Sequence, residues 1–245
     1  MTANLSVNLN AVAALRNRRN LPWPNVAGIG RICLEAGAYG LTVHPRPDAR
    51  HIRRHDIFDL LLLRHDFPNF EMNIEGYPTP QFLALCENAM PTQVTFVPDD
   101  PAQATSDHGW DVAGDREVLE PAIAKMKALG IRTSVFVDAD DISPALAQGL
   151  GADRVEIYTG PYGHAFSAAE AERQLAAIAA CGQAAAAAGV GVNAGHDLTL
   201  ANLPAIAAAV PNLVEVSIGH AITADALIMG FAEAVRRYLV ALGRT

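Results

Sequence analysis

Lysine is almost missing from this chain: there are two in 245 residues, Lys125 and Lys127, both in one helix-like segment. A barrel enzyme working through a lysine Schiff base, or a pyridoxal-phosphate enzyme with its internal aldimine, needs a lysine at the end of a strand. Neither of these two stands near one. Cysteine is nearly as scarce, and Cys33, Cys86 and Cys181 are isolated. That excludes a disulfide framework and a zinc knuckle, and fits reduced, buried thiols in a cytoplasmic protein. No apolar run approaches the roughly 20 residues that span a bilayer. The opening "MTANLSVNLNAV" lacks the zones of a signal peptide. Charged residues make up only 18% of the chain, with a net charge of −8, which argues against a general binder of nucleic acid or anionic membranes. A dinucleotide fingerprint is also absent. "GIGRIC" (28–33) lacks the third glycine, and no strand precedes it.

What the chain does have is hydrophobic mass, 51% of its residues, enough for a large core. Eight short apolar, β-branched runs recur along it: "LSVNLN" (5–10), "YGLTVH" (39–44), "FEMNIE" (70–75), "QVTFVP" (93–98), "RTSVFVD" (132–138), "RVEIYTG" (154–160), "VGVNAGH" (190–196) and "LVEVSIGH" (213–220). The helix-like segments between them are clearest in "DREVLEPAIAKMKALG" and "SAAEAERQLAAIAACGQAAAAAG". Each closes on a glycine suited to the position after a helix, and Ser167 with Glu170 spells a capping box. Eight such units predict one domain over residues 1–245, an α/β (β/α)₈ TIM barrel. A doubly wound sheet is the alternative.

Barrel enzymes carry their chemistry at the C-terminal ends of the strands. Here those ends read Asn8 and Asn10, His44, Glu75, Pro98, Asp138, Thr159-Gly160, His196 and Gly219-His220. Metal-dependent barrel hydrolases begin with His-x-His on the first strand, whereas this chain has Asn8-Leu9-Asn10, a poor donor set for such ions. Acid–base chemistry remains, with His44, Glu75 and His196 as proton carriers. The positive charge suits small anions: nine of sixteen arginines lie in the first 64 residues, notably in "RNRR" (16–19) and "RPDARHIRR" (46–54). "NAGHDLT" and "SIGHAIT" each run from a strand through glycine toward a helix start. After strands 7 and 8 such turns commonly hold phosphate, and Gly195 and Gly219 would let the backbone approach it.

Taken together, these pieces resemble the pyridoxine 5′-phosphate synthase family. The resemblance is carried by "VNLNAVAALRNRR" (7–19), "GLTVHPRPDARHI" (40–52), "MNIE" (72–75), "VPDDPAQATSDHGWDV" (97–112), "VFVDAD" (135–140), "EIYTGPY" (156–162), "VNAGHDL" (192–198) and "SIGHAI" (217–222). It implies a phosphate-binding (β/α)₈ barrel with additional helices, assembled as a homo-octamer. The activity it implies is condensation of 3-amino-2-oxopropyl phosphate with 1-deoxy-D-xylulose 5-phosphate, releasing phosphate and water. His44 and Glu75 are then proton acceptors and His196 a proton donor. Asn8, Arg19, Gly219 and His220 would hold the aminoketone phosphate, Arg46, His51 and Thr105 would contact the deoxyxylulose phosphate, and Asp197 is a further substrate-binding candidate through its backbone N–H. Three features depart from the family pattern. Asn10-Ala11 stands for an Asp-His pair, Asp197 for a glycine, and residues 55–70 make a longer link between strands 2 and 3.

The expected protein is a metal-independent cytoplasmic synthase of vitamin B6 synthesis. It needs no cofactor, and its partners are two small phosphorylated substrates and further copies of itself, with neither nucleic acid nor membrane. A sugar-phosphate isomerase or epimerase, or a non-catalytic barrel binding phosphometabolites, are the other readings the residues allow.

Overall fold

All eight runs are strands in the computed structural model, which describes residues 3–19, 21–99, 106–210 and 212–244. They are β1 (Asn4–Asn8), β2 (Gly40–Val43), β3 (Glu71–Gly76), β4 (Gln93–Phe96), β5 (Arg132–Val137), β6 (Arg154–Tyr158), β7 (Gly191–Gly195) and β8 (Leu213–Ile218). Each pairs in parallel with its sequence neighbours, and β1 pairs with β8, closing the barrel. Eleven helices wrap the described barrel: α1 (Asn10–Asn17), α2 (Val26–Glu35), α3 (Arg54–Leu61), α4 (Pro80–Ala89), α5 (Arg116–Ala128), α6 (Ser143–Gly149), α7 (Gly160–Gly163), α8 (Ala168–Ala188), α9 (Leu203–Ala209), α10 (His220–Met229) and α11 (Phe231–Ala241). The segments after β1, β6 and β8 each hold two of them, the additional helices of the sequence reading. The long 55–70 link becomes most of α3, a 3₁₀ turn at Leu62–His65 and the approach to β3. "GIGRIC" lies inside α2. No described helix is long and apolar enough to cross a membrane.

Strand alternation sorts the side chains into two environments. Leu5, Val7, Leu41, Val43, Met72, Ile74, Val155, Ile157, Val216 and Ile218 are buried in the apolar shell of strands and helices. The residues between them point into the barrel, and they are polar where barrel interiors usually carry branched apolar side chains. Ser6 and Thr42 share a hydrogen bond of 2.7 Å. Thr95 on β4 donates to Asn73 at 3.1 Å and reaches Glu156 on β6 at 3.4 Å. Nearer the N-terminal end Arg132 pairs with Glu71 and donates to Gln93 at 2.8 Å, while Arg154 faces Glu215 at 3.5 Å.

Local signals set the helix ends. Thr79 accepts from the Phe82 N–H ahead of Pro80, and Ser167 accepts from the Glu170 N–H at 3.2 Å. The reciprocal arm of the expected capping box goes elsewhere, since the Glu170 carboxylate accepts from Phe166 N–H instead. Gly130 and Gly189 take φ of +74° just past α5 and α8, as their positions predicted.

The buried ion pair between Arg16 of α1 and Asp56 of α3 ties the first helix to the β2–α3 loop. Asp56 also accepts from the Arg53 N–H at 2.7 Å, capping α3. Removing one partner leaves the other charge buried and alone. Asp56→Ala is therefore expected to lower the free energy of unfolding by about 3 kcal/mol, measured by urea denaturation.

Candidate active site

At the C-terminal ends of the strands a cavity of about 460 Å³ is lined by Asn8, His44, Arg46, His51, Glu75 and Glu156, and on its other side by His196, Asp197, Gly219 and His220. All three predicted proton carriers thus share one space with six of the predicted anion-binding residues. Arg19 is exposed on the turn after α1 and does not line the cavity. Thr105 lies outside the described residues.

Two asparagines fix the first sector. Asn8 accepts from the Asn10 N–H at 2.9 Å, and Asn10 accepts from the His44 N–H at 2.9 Å, so the end of β1 holds the end of β2 in place. Asn8 also donates to Glu75 at 3.4 Å. These amide oxygens are already hydrogen-bonded to backbone, and among the described residues no cluster of three or more His, Cys, Asp or Glu side chains is arranged around a metal-sized space.

His44 Nδ1 faces Glu75 Oε2 at 3.9 Å, with both side chains almost fully buried. An ion pair is the first reading of that distance, but the electrostatics argue otherwise. Burial, followed by the charges of Arg46, His51 and His196, holds His44 well below the ordinary imidazole range. Burial, followed by the neighbouring Asp99 and Glu215 carboxylates, pushes Glu75 up to about 8, against a lowering influence from Arg46 and Asn8. The pair is a neutral imidazole beside a carboxylic acid that ionises near the working pH. Such a group both gives and takes protons readily.

His196 sits against Phe136 and Tyr158, with ring centroids 5.2 and 5.3 Å away, and burial lowers its pKa. Its backbone and that of Asp197 adopt φ of +80° and +55°, a left-handed pair that no helix can begin with. The sequence reading therefore needs correction at this turn: "NAGHDLT" does not open a helix directly, and α9 starts only at Leu203. Thr159 holds the turn by reaching the carbonyls of Gly195 and His196 at 2.6 and 2.5 Å. Gly163 makes room for Asp197, because a Cβ there would lie 2.5 Å from the Asp197 Cβ. The second motif behaves as expected, with Gly219 leading straight into α10 and packed so close to Asn8 that an added Cβ would sit 3.0 Å from the Asn8 Cβ.

Loop residues 45–53 form the other wall. His51 accepts from the Ile52 N–H through Nδ1 at 2.9 Å, which leaves the proton of the neutral ring on Nε2. Burial, followed by Arg46 and Arg50, holds His51 at about 4. Arg46 is buried and lies 2.8 Å from Asp99. A second, larger cavity of about 780 Å³ adjoins behind His44, Arg46 and Asp99. Its remaining walls mix apolar side chains (Ile52, Phe82, Leu85) with Arg54, Tyr77 and Gln81 and add no further histidine or carboxylate, so the smaller cavity is the chemical one.

Glu156 is the functional candidate that strand-end reading missed. It lies two residues before the end of β6, faces the same cavity, and is pushed well above the carboxylate range by burial and then by Glu75 and Glu215. Gly195 yields space to it, since a Cβ there would stand 2.5 Å from Glu156 Oε1. The signal was a glutamate between the buried Val155 and Ile157, in the middle of a strand.

Closed parallel barrel, polar interior and titratable rim together define a (β/α)₈-barrel enzyme that works by moving protons. The family described as pyridoxal phosphate biosynthesis protein PdxJ matches residues 5–244, and the chain belongs to that family. It is 59% identical to a pyridoxine 5′-phosphate synthase of Allorhizobium ampelinum, over 99% of both chains. It is 57% identical to the enzyme of the same name in Mesorhizobium japonicum, over 99% of this chain and 100% of that one. Among solved structures it resembles tryptophan synthase from M. tuberculosis, with a TM-score of 0.67 at 12% identity, covering 100% of this chain and 94% of the other. Thiamine phosphate pyrophosphorylase from Pyrococcus furiosus is similar at a TM-score of 0.61 and 11% identity, covering 99% and 96%. At those identities the likeness is one of fold.

The raised Glu75 makes a stability prediction with a definite sign. Between the unfolded value near 4.5 and the folded value of about 8, the folded protein holds a proton that the unfolded chain has lost, so rising pH costs stability. Glu75→Gln lacks this penalty. Its melting temperature should match the parent below pH 4.5, then exceed it by a margin that grows to a few degrees by pH 8, read by calorimetry across that range.

Proposed function

We propose that this chain is a pyridoxine 5′-phosphate synthase, condensing 3-amino-2-oxopropyl phosphate with 1-deoxy-D-xylulose 5-phosphate and releasing inorganic phosphate and water. The observation that carries the reading is the set of two neutral imidazoles and one poised glutamic acid around a single cavity, in a chain of the PdxJ family. The nitrogen of the imine comes from the aminoketone itself, so no enzyme lysine is required. The two lysines support this, being spent on Glu87, Asp153 and the Gly151 carbonyl, remote from the cavity.

In this mechanism the substrate amine attacks the ketone carbon and the carbonyl oxygen leaves as water. The following eliminations and ring closure each move a proton between carbon, nitrogen or oxygen and the protein. His44 and Glu75 accept these protons and His196 donates. Their neutral or half-ionised states at working pH suit both directions of transfer. Glu156, carrying its proton, offers a hydrogen bond to negative charge developing in the cavity. Asn8, Arg19 and the N–H groups of Asp197, Gly219 and His220 take the aminoketone phosphate. Arg46, His51 and Thr105 take the deoxyxylulose phosphate. The enzyme works in the cytoplasm without a metal ion and as a homo-octamer. Leu227, Ile228 and Val240 on α10 and α11 are 76%, 86% and 69% exposed, a face suited to contact with another copy.

Incubation of the pure protein with both substrates should yield a product with pyridine absorbance, and neither substrate alone should. Glu75→Gln, folded as judged by circular dichroism, should lose on the order of 10²–10⁴ in kcat. A variant turning over at the parent rate would remove Glu75 from the proton path. Dialysis against a strong chelator should leave the parent rate unchanged, and restoration by zinc or manganese of an activity so lost would overturn metal independence.

A further inference from the structure

Asp99 is a buried carboxylate in the wrong place for a pure scaffold residue. Its side chain is 7% exposed, and Oδ2 lies 2.8 Å from Arg46 Nη2 and 3.1 Å from His44 Nε2. One oxygen thus touches both the guanidinium read above as a phosphate ligand and the imidazole read as a base. The contact is short but off-axis: Oδ2 has no hydrogen-bond partner among the described residues, so the Arg46 N–H is not aimed along it and His44 Nε2 makes no hydrogen bond to it. The other oxygen is tethered, with Ser106 donating to Oδ1 at 2.7 Å. Burial raises the Asp99 pKa while Ser106 and Arg46 pull it down. The environment therefore tolerates this carboxylate only through partners it could exchange.

A phosphate monoester brings close to two negative charges and three acceptor oxygens, and an arginine fork matches those oxygens better than one off-axis carboxylate oxygen. Asp99 Oδ2 lies 2.8 Å from Arg46 Nη2, so a phosphate oxygen cannot take that nitrogen while Asp99 stays, and two anions at one arginine repel each other. On the reading of Arg46 given under Proposed function, we infer that Asp99 is a resident anion which the phosphate of the ketone substrate must displace. Its departure uncovers Nε2 of His44. The base is then covered in the empty site and open in the loaded one, and a ketone without a phosphate lacks the charge to make the exchange. Asp99 is a specificity and positioning residue, acting through Arg46 and His44.

The test uses the full-length protein, its Asp99→Asn and Ser106→Ala variants, and Arg46→Ala as a control. Binding of 1-deoxy-D-xylulose 5-phosphate without the aminoketone is measured by calorimetry. Asp99→Asn should tighten it about tenfold, the weight of one charge-assisted contact that no longer competes. Ser106→Ala, which only loosens the tether, should shift it the same way by less. The preference in kcat/KM for the phosphorylated over the dephosphorylated ketone should fall by about tenfold in Asp99→Asn. The ¹⁵N signal of His44 Nε2 should move on ligand binding in the parent, and should already lie at its moved position in ligand-free Asp99→Asn. A purely structural Asp99 would not bring the signal of the ligand-free variant to the ligand-bound position. Loss of binding in Arg46→Ala with unchanged or weaker binding and unchanged preference in Asp99→Asn overturns this inference by itself. Undiminished binding in Arg46→Ala overturns the reading of Arg46 and this inference with it.

Discussion

Everything at the mouth of this barrel depends on the seam where the chain's first strand meets its last. Asn4 pairs with Glu215, Leu5 with Val216, Ser6 with Ser217 and Val7 with Ile218. The seam is reinforced from outside by Arg244, which reaches back to the Ala3 carbonyl at 2.8 Å and to Asn4. Only with the seam closed does Gly219 lie against Asn8, residues 211 apart in sequence (219 − 8). Asn8 then steers Glu75, and Asn10 steers His44. A closed sheet has no free edge, so its rim is stiff enough to keep proton carriers at fixed separations.

Stiffness alone would not make those groups reactive. Their electrostatic state follows from how little water reaches them and from the unusual number of carboxyls beneath. Glu75, Glu156 and Glu215 are all raised, Glu215 to about 7, and burial is the first cause in each case. The arginines are distributed unevenly against them. Arg154 and Arg132 attend Glu215 and Glu71 near the N-terminal end, while at the mouth burial, and after it the charge of Arg46, keeps His44 and His51 neutral. Acids that hold their protons and imidazoles that lack theirs form a reservoir of exchangeable protons without a net ion pair.

The barrel was legible because strand alternation and the glycines that close α5 and α8 are local signals, and all eight runs fell where they were read. His44, Glu75 and His196 were legible for the same reason: they end strands, and the fold gathers strand ends. Glu156 was not, because it sits inside a strand, and only the tilt and closure of the barrel turn that position toward the cavity. Asp99 escaped because its meaning lies in its distance from Arg46, 53 residues earlier in the chain (99 − 46). The turn after β7 was misjudged for a local reason, since two consecutive non-glycine residues with positive φ are rare enough that sequence favours an ordinary helix start. Arg19 owes its expected role to family likeness alone, and it stands exposed, outside the lining of the cavity.

The scarcity of lysine has a practical side once the two residues are placed. Lys127 binds the Gly151 carbonyl just before β6, and Lys125 pairs with Glu87 near the end of α4, so both ammonium groups lie toward the N-terminal face. The mouth is at the opposite end. Side-chain amine reagents therefore find handles only on the floor of the molecule. A support, dye or carrier attached through them leaves the substrate entrance pointing away from the attachment, an orientation that lysine-rich barrels do not offer.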